Sequence, residues 1–114
     1  MNTEMFVDAI RRHVRDPAIQ DTLDKLQSPP GRRVSPEKKA RSGWYKGLSE
    51  QDAAYVASVV ADAVDEAVFG LFAVLDGSRV IDDGRFELVH VGGQRALLND
   101  PEKIGLNEVF NATE

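Results

Sequence analysis

Residues 49–77 read SEQDAAYVASVVADAVDEAVFGLFAVLDG and contain the most regular apolar spacing in the chain. Ser49 and the acidic residues that follow it are typical of a helix N-cap with a negatively charged first turn. Asp76-Gly77 is typical of a helix end, because glycine readily adopts the left-handed conformation that stops a helix. The sequence therefore predicts one long helix over about residues 50–75.

Within this helix, apolar residues recur at spacings of three and four, which predicts the side that packs on the core. The members of this stripe are Ala53, Val56, Val60, Ala63, Val64, Ala67, Leu71 and Val74. The opposite side carries acidic residues and then, in the last two turns, aromatic ones. These residues, here called the acidic–aromatic face, are Asp62, Asp65, Glu66, Phe69 and Phe72. We expect the two phenylalanines to be covered by another part of the chain or by a second chain.

The chain before this helix is predicted to begin with a helical segment over residues 1–27. Apolar residues recur at helical spacing on both sides of Asp16-Pro17, a pair that commonly starts a helix. We therefore predict a helical hairpin, or one kinked unit, that begins after a cap at Thr3.

Residues 28–43 separate this segment from the long helix, and they are polar and basic. Their first four residues are Ser, Pro, Pro and Gly, which cannot continue a helix. The composition predicts a mobile loop with at most one helical turn after Pro36. Trp44 and Tyr45 follow, and their two large aromatic side chains are expected to anchor this loop on the core.

After the long helix, the spacing of apolar residues changes to that of strands. Residues 79–81, 86–91 and 94–98 are three strand candidates, which together predict an antiparallel meander. The two glycines between the last two candidates predict a two-residue hairpin loop, which would pair Val91 with Gln94.

A short terminal helix is predicted to begin at Asp100-Pro101. The fold class is then α+β: N-terminal helices and one long central helix packed on a small three-stranded antiparallel meander, with a short C-terminal helix. A chain of 114 residues is close to the commonest domain size, so we expect a single domain over residues 1–114. It would comprise the helical hairpin (1–27), the mobile basic loop (28–43) and a part with the long helix, meander and terminal helix (44–114).

The charges are unevenly distributed along the chain. Residues 1–46 carry ten Lys/Arg and six Asp/Glu, whereas residues 47–114 carry four and thirteen. The basic excess is densest over residues 32–46 and could attract phosphate groups. A pI near 5.0 nevertheless disfavours nucleic-acid binding. The alternative is that the basic segment lies against the chain's own acidic half or is simply solvated.

The residue types also exclude or disfavour several kinds of chemistry. The chain has no cysteine, which excludes disulfides, zinc–thiolate sites and thiol catalysis. His13 and His90 are the two histidines, and neither lies in a recognisable catalytic motif. The carboxylates of Asp62, Asp65 and Glu66 follow no metal-ligand spacing, which is typical of a solvated acidic face. We predict no catalytic residue, no cofactor and no metal site.

The expected location is cytoplasmic. The apolar runs are too short or too interrupted to span a bilayer, and the N-terminus lacks the apolar region of a signal peptide. We therefore predict no membrane partner.

Several short strings between residues 28 and 111 together form a recognisable pattern. They are Trp44-Tyr45, Leu48-Ser49, VFG at 68–70, VLDG at 74–77, LLND at 97–100 and VFN at 109–111. This pattern resembles that of a family of small uncharacterised bacterial proteins. The resemblance implies a bacterial, single-domain protein, and it brings no known activity, cofactor or catalytic residue to any position.

Three classes of function are compatible with these features. The first is a non-enzymatic protein–protein interaction module, because the acidic–aromatic face would form an apolar patch rimmed by charge. Its partner would be a second copy, giving a homodimer, or another protein, as for an acidic immunity-type inhibitor of a basic protein. The second class is a small carboxylate- or metal-dependent hydrolase that uses the same acidic residues. The third, less favoured, is nucleic-acid binding through residues 32–46.

Overall fold

The computed structural model describes residues 1–112 of the chain, which divides into two compact units. Unit 1 comprises Met1–Arg15 and Asp65–Glu114, of which residues 113 and 114 lie outside the described part. Unit 2 comprises Asp16–Val64. The single-domain organisation that the sequence predicted stays a prediction.

Helices make up most of the described chain, and one small sheet accompanies them. The elements are α1 (Thr3–Ile10), a π-helical turn (Arg11–Arg15), α2 (Asp16–Gln27), α3 (Pro36–Lys46), α4 (Glu50–Asp76), β1 (Val89–Gly92), β2 (Gln94–Leu97) and α5 (Leu106–Ala112). This composition confirms the α+β class. None of the described helices is both long enough and apolar enough to cross a membrane.

The N-terminal helical segment differs from the prediction in its cap and in its connection. Asn2, not Thr3, caps α1, since the Asn2 side chain accepts a hydrogen bond from the Met5 backbone N–H at 2.8 Å. The Thr3 hydroxyl instead donates to the Leu98 carbonyl at 2.7 Å. Of the two predicted arrangements for residues 1–27, the helical hairpin is wrong and the single helical unit fits, because helical residues continue without a loop from α1 through the π-helical turn into α2.

The segment that the sequence predicted as a basic loop, residues 28–43, is helical in its second half. Helix α3 begins after Ser35, whose hydroxyl accepts a hydrogen bond from the Lys38 N–H at 3.2 Å, and Pro36 lies in its first turn. A serine cap followed by proline is a strong helix start, and it outweighs the low apolar content of the segment. The non-helical connection is therefore confined to residues 28–35, and its mobility stays a prediction.

The long central helix is confirmed, with α4 covering Glu50–Asp76. At its start, the Ser49 hydroxyl accepts a hydrogen bond from the Asp52 N–H at 3.1 Å. At its end, Gly77 adopts a φ of 83°, and the two hydrogen bonds of a Schellman motif close the last turn. That motif requires a left-handed residue, which explains why glycine stands there.

The buried side of the second half of α4 is the reverse of the predicted one. Phe72 is only 2% exposed, whereas Leu71, a member of the predicted core stripe, is 59% exposed. Phe69 packs against the same core as Phe72. The last two turns are apolar on every side, so periodicity alone does not determine which side is buried. Turning the aromatic rings inward buries more apolar surface than turning Leu71 inward would.

The core of unit 1 forms where α1, α4 and α5 meet. Its fully buried members are Val7, Phe72, Leu106 and Phe110. The Phe72 ring centroid lies 6.3 Å from that of Phe6 and 5.7 Å from that of Phe110, in tilted and edge-on orientations. Aromatic pairs in such orientations contribute about 0.5–1.5 kcal/mol beyond the burial of their area. This cluster therefore makes both α1 and α5 dependent on α4.

The predicted three-stranded meander is wrong, since the sheet of the described residues has two strands, β1 and β2. Residues 79–81 are exposed and form no strand. The chain before β1 is held instead by the buried Asn99 side chain, which accepts from the Leu88 N–H at 2.8 Å. The same amide donates to the carbonyls of Phe86 at 2.9 Å and Leu75 at 2.6 Å. One side chain thus satisfies backbone groups of the segment before β1 and of the last turn of α4.

The β1–β2 hairpin is tighter than predicted. Val91 pairs with Arg95 rather than with Gln94, and Gly93 lies at the tip with a φ of 51°. The prediction assumed that two residues form the loop. A shift of one residue in register exchanges the side chains that share a face of the sheet, so Val89 lies opposite Leu97.

Asp76 connects the end of α4 to the start of α5. Its two carboxylate oxygens accept hydrogen bonds from the backbone N–H groups of Leu106 at 3.0 Å and Asn107 at 2.9 Å. A carboxylate at a helix N-terminus satisfies unpaired donors and interacts favourably with the helix dipole. Gly105 permits this approach, because a Cβ there would lie 2.9 Å from Asp76 Oδ2. The terminal helix therefore begins at Leu106 and not at the predicted Asp100.

Replacing Asp76 by alanine is expected to lower the free energy of unfolding by about 1–3 kcal/mol, because two backbone donors lose their acceptor. Chemical denaturation measures the change. Glu66→Ala is the matched control, since Glu66 is an exposed carboxylate on the same helix. An equal loss in both variants, or an unchanged midpoint for Asp76→Ala, would contradict the capping role.

Candidate functional site

The five residues of the acidic–aromatic face do not form one exposed site. Phe72 lies in the core of unit 1 and Phe69 packs against it, so the predicted aromatic surface patch is wrong. Asp65 is half-buried in an ion pair, and Asp62 and Glu66 are exposed. The rings are inside because α1 and α5 cover them, which helical spacing within α4 could not reveal.

Asp65 and Arg15 form a two-pronged ion pair within unit 1. Arg15 Nε donates to Asp65 Oδ1 at 2.8 Å, and Arg15 Nη2 donates to Oδ2 at 3.0 Å. The exposed fractions of the two side chains are 24% for Arg15 and 20% for Asp65. The hydrogen bonds from Arg15, with the charges of Arg15 and Arg11, outweigh partial burial and hold the pKa of Asp65 below its ordinary value of 3.8.

Arg11 makes a second connection from the π-helical turn. Its Nη2 donates to the Phe110 carbonyl at 2.7 Å, near the C-terminus of α5, where helix carbonyls lack intrahelical donors. Its guanidinium carbon lies 4.4 Å from the centroid of the Phe110 ring, which is cation–π geometry. Although π-helical turns are frequent at functional sites, these contacts give this one a structural role within unit 1.

The metal chemistry that the sequence disfavoured has no ligand cluster in the described residues. No group of three or more His, Asp or Glu residues in positions 1–112 could hold a metal ion. His13 lies in the π-helical turn and His90 in β1, and both are exposed. The absence of catalytic, cofactor and metal sites stays a prediction.

Unit 2 contains an apolar groove that the sequence did not predict. It has a volume of about 350 Å³ and is lined by Trp44, Tyr55, Val56, Val59 and Val60. Three of these side chains are strongly exposed: Trp44 at 55%, Tyr55 at 63% and Val59 at 66%. The prediction that Trp44 anchors on the core is wrong, since more than half of it is exposed. We call this surface the Trp44 groove.

Unit 2 also lacks a core of its own. Among residues 16–64, all of which the structure describes, no hydrophobic side chain is fully buried. The buried Ser42 hydroxyl donates to the Gln27 carbonyl at 3.1 Å and thereby holds α3 to α2. A unit that exposes large apolar side chains and fully buries none has apolar surface available for another molecule.

Trp44, Val56 and Val60 were predicted to pack on the core, whereas Tyr55 and Val59 escaped sequence analysis for a physical reason. Tyr55 and Val59 stand four residues apart on the side of α4 that also carries Ser58 and Asp62, and such a side is normally solvated. The signal that could have identified them is this pair itself. Two large apolar side chains one turn apart on a polar side, shortly after an isolated tryptophan, are typical of a contact surface.

No known protein family, curated protein or solved structure matches this chain significantly. The resemblance to small bacterial proteins therefore stays an expectation that rests on short sequence strings. What the chain does must be inferred from its own geometry.

The Arg15–Asp65 pair predicts how stability depends on pH. Since the pKa of Asp65 is lower in the folded chain than in the unfolded one, the pair stabilises the fold fully above the ordinary pKa of 3.8. This contribution is lost as the pH falls through the folded pKa. We expect Asp65→Asn to be less stable than the unchanged chain at neutral pH, and the difference to shrink below about pH 4.

Urea denaturation of the wild-type protein and of Asp65→Asn at several pH values measures this difference in the free energy of unfolding. Glu66→Gln is the matched control, because Glu66 is the next residue along α4 and is exposed. A stability difference for Asp65→Asn that stays constant from neutral to acidic pH would contradict the assignment, as would an equal effect in the control.

Proposed function

We propose that this chain is a non-enzymatic protein–protein interaction module that self-associates as a homodimer through the Trp44 groove. One observation carries the proposal: unit 2 exposes Trp44, Tyr55 and Val59 while it fully buries no hydrophobic side chain. Contiguous apolar patches on an otherwise polar surface mark contact sites. A second copy that covers the groove would supply the burial that unit 2 lacks.

The side chains of the groove are of the kind that stabilises interfaces. Fully burying one large apolar side chain contributes roughly 1.5–3 kcal/mol. Tryptophan and tyrosine are also enriched among the residues that carry most of the binding energy. In a two-fold contact each copy contributes the same exposed side chains, so every favourable contact occurs twice. The recess between Trp44 and α4 gives an aromatic ring of the partner a place to insert.

The charges of unit 2 favour a second copy as the partner. Residues 16–64 carry seven Lys/Arg and seven Asp/Glu, so the unit is neutral although the whole chain has a net charge of −5. On α4, Asp52 lies one turn before Tyr55 and Asp62 one turn after Val59, whereas α3 is predominantly basic. An arrangement with α3 of one copy along α4 of the other brings opposite charges together at the rim.

Asp62 is the residue of the acidic–aromatic face that this proposal keeps in the interaction surface. It is exposed and follows Val59 by three residues on α4. A carboxylate at the edge of an apolar contact disfavours the binding of a third copy there, because that copy would have to desolvate the charge. The contact is then limited to two chains.

Val59→Asp is expected to convert the dimer into a monomer, because it places a charge at the centre of the apolar contact. Sedimentation equilibrium at micromolar concentration measures the mass: about twice the 12.6 kDa of one chain for the unchanged protein and a single chain for the variant. Leu71→Asp is the matched control. Leu71 is 59% exposed on the same helix, close to the 66% of Val59, and does not line the groove.

A monomeric unchanged chain would contradict the proposal, and so would a dimer that survives Val59→Asp. Loss of the dimer in Leu71→Asp would place the contact elsewhere on α4. Phe69→Asp is not a suitable test, because Phe69 packs against the core of unit 1 and its replacement would perturb folding.

A further inference from the structure

Unit 2 contains a second cavity, which shares no lining residue with the Trp44 groove. Its volume of about 420 Å³ lies within the range of small-molecule sites. Its apolar lining residues are Leu26, Pro29 and Pro30. Its charged lining residues are Lys25, Lys38 and Arg41. Among the residues that the structure describes, no acidic residue lines this cavity. We call it the cationic cavity.

The three cations of this cavity have no anionic partner within the described part of the chain. In residues 1–112, neither Lys25, Lys38 nor Arg41 forms an ion pair. Like charges around one cavity repel one another and create a positive potential that attracts anions. Lys38 also stands in the first turn of α3, where the helix dipole disfavours a cation. A bound anion would relieve both unfavourable interactions.

The cavity is preorganised by the contact between α2 and α3. Ser42 follows Arg41 directly, is buried, and donates its hydroxyl to the carbonyl of Gln27, two residues after Lys25. This hydrogen bond joins the backbone of one helix to a side chain of the other beside the cavity. Pro29 and Pro30 restrict the backbone that connects the two helices. Helices held together before binding lose less conformational freedom when an anion arrives between them.

We propose that the cationic cavity binds a small phosphate monoester that carries an aromatic ring. A phosphate monoester has a charge of about −1.5 to −2 at pH 7, which matches three cations better than one carboxylate does. The planar guanidinium of Arg41 suits two phosphate oxygens at once. The aromatic ring packs on Leu26 and the two prolines, since aromatic and proline rings pair readily in peptide recognition.

NMR titration of the full, ¹⁵N-labelled chain tests this assignment. The probes are phenyl phosphate, adenosine monophosphate, inorganic phosphate and benzyl alcohol. We expect saturable shifts within residues 22–42 for at least one aromatic phosphate, with a Kd at least about tenfold lower than that of inorganic phosphate. Benzyl alcohol is expected not to saturate. The tighter of the two aromatic phosphates distinguishes a nucleotide from a simple aryl phosphate.

Arg41→Gln and Lys38→Gln are each expected to raise the Kd for the aromatic phosphate about tenfold, as the loss of one charge-assisted hydrogen bond typically does. Lys39→Gln is the matched control, because Lys39 has the same charge, adjoins Lys38 on α3 and does not line the cavity. The dispersion of each variant's own spectrum shows whether it is folded, and the two cavity variants test the site independently.

Failure of both aromatic phosphates to saturate would overturn the proposal. Equal affinity for inorganic phosphate would also overturn it, because the apolar lining would then contribute nothing. An equal loss of affinity in Lys39→Gln would reduce the site to a general positive surface. Tighter binding of a single-stranded oligonucleotide, with a steep dependence on salt, would identify a nucleic-acid surface instead.

Discussion

The burial of Phe72 is the contact on which the rest of unit 1 depends. Its ring packs against Phe6 of α1 and Phe110 of α5, so two helices are positioned by one side chain of α4. Hydrogen bonds from other elements of unit 1 also hold both ends of α5 in place. Asp76 caps its N-terminus, and Arg11 binds the Phe110 carbonyl near its C-terminus. The aromatic cluster and these hydrogen bonds therefore specify the same orientation of α4.

Helix α4 has a different role in unit 2. There Tyr55 and Val59 are exposed beside Trp44, and no hydrophobic side chain of residues 16–64 is fully buried. Unit 1 covers its apolar side chains within one chain, whereas unit 2 leaves large apolar side chains uncovered. The proposed homodimer follows from this difference in burial. A partner that binds only the folded chain would also stabilise it, so association and stability would be linked.

Strong local chemistry made part of the fold predictable. Ser49 and Gly77 define the ends of α4 through a side-chain cap and a left-handed residue, and both signals act over a few residues only. The orientation of Phe72 was not predictable, because the last turns of α4 are apolar on every side and α5 decides which side is covered. Likewise, strand propensity cannot reveal that residues 79–81 form no strand or that the Asn99 amide holds the segment before β1. The exposure of Trp44 depends on contacts between helices, which the local sequence pattern around Trp44 does not determine.

The most direct test of this account compares alanine at two neighbouring positions of α4. Phe72→Ala is expected to lower the free energy of unfolding by about 3–5 kcal/mol, as removal of a buried phenylalanine does. Leu71→Ala is expected to change it by less than about 0.5 kcal/mol, since surface substitutions usually have small effects and Leu71 is 59% exposed. Chemical denaturation of both variants gives the two values. A loss for Leu71→Ala equal to or greater than that for Phe72→Ala would show that the opposite side of the helix is buried, and it would contradict the account.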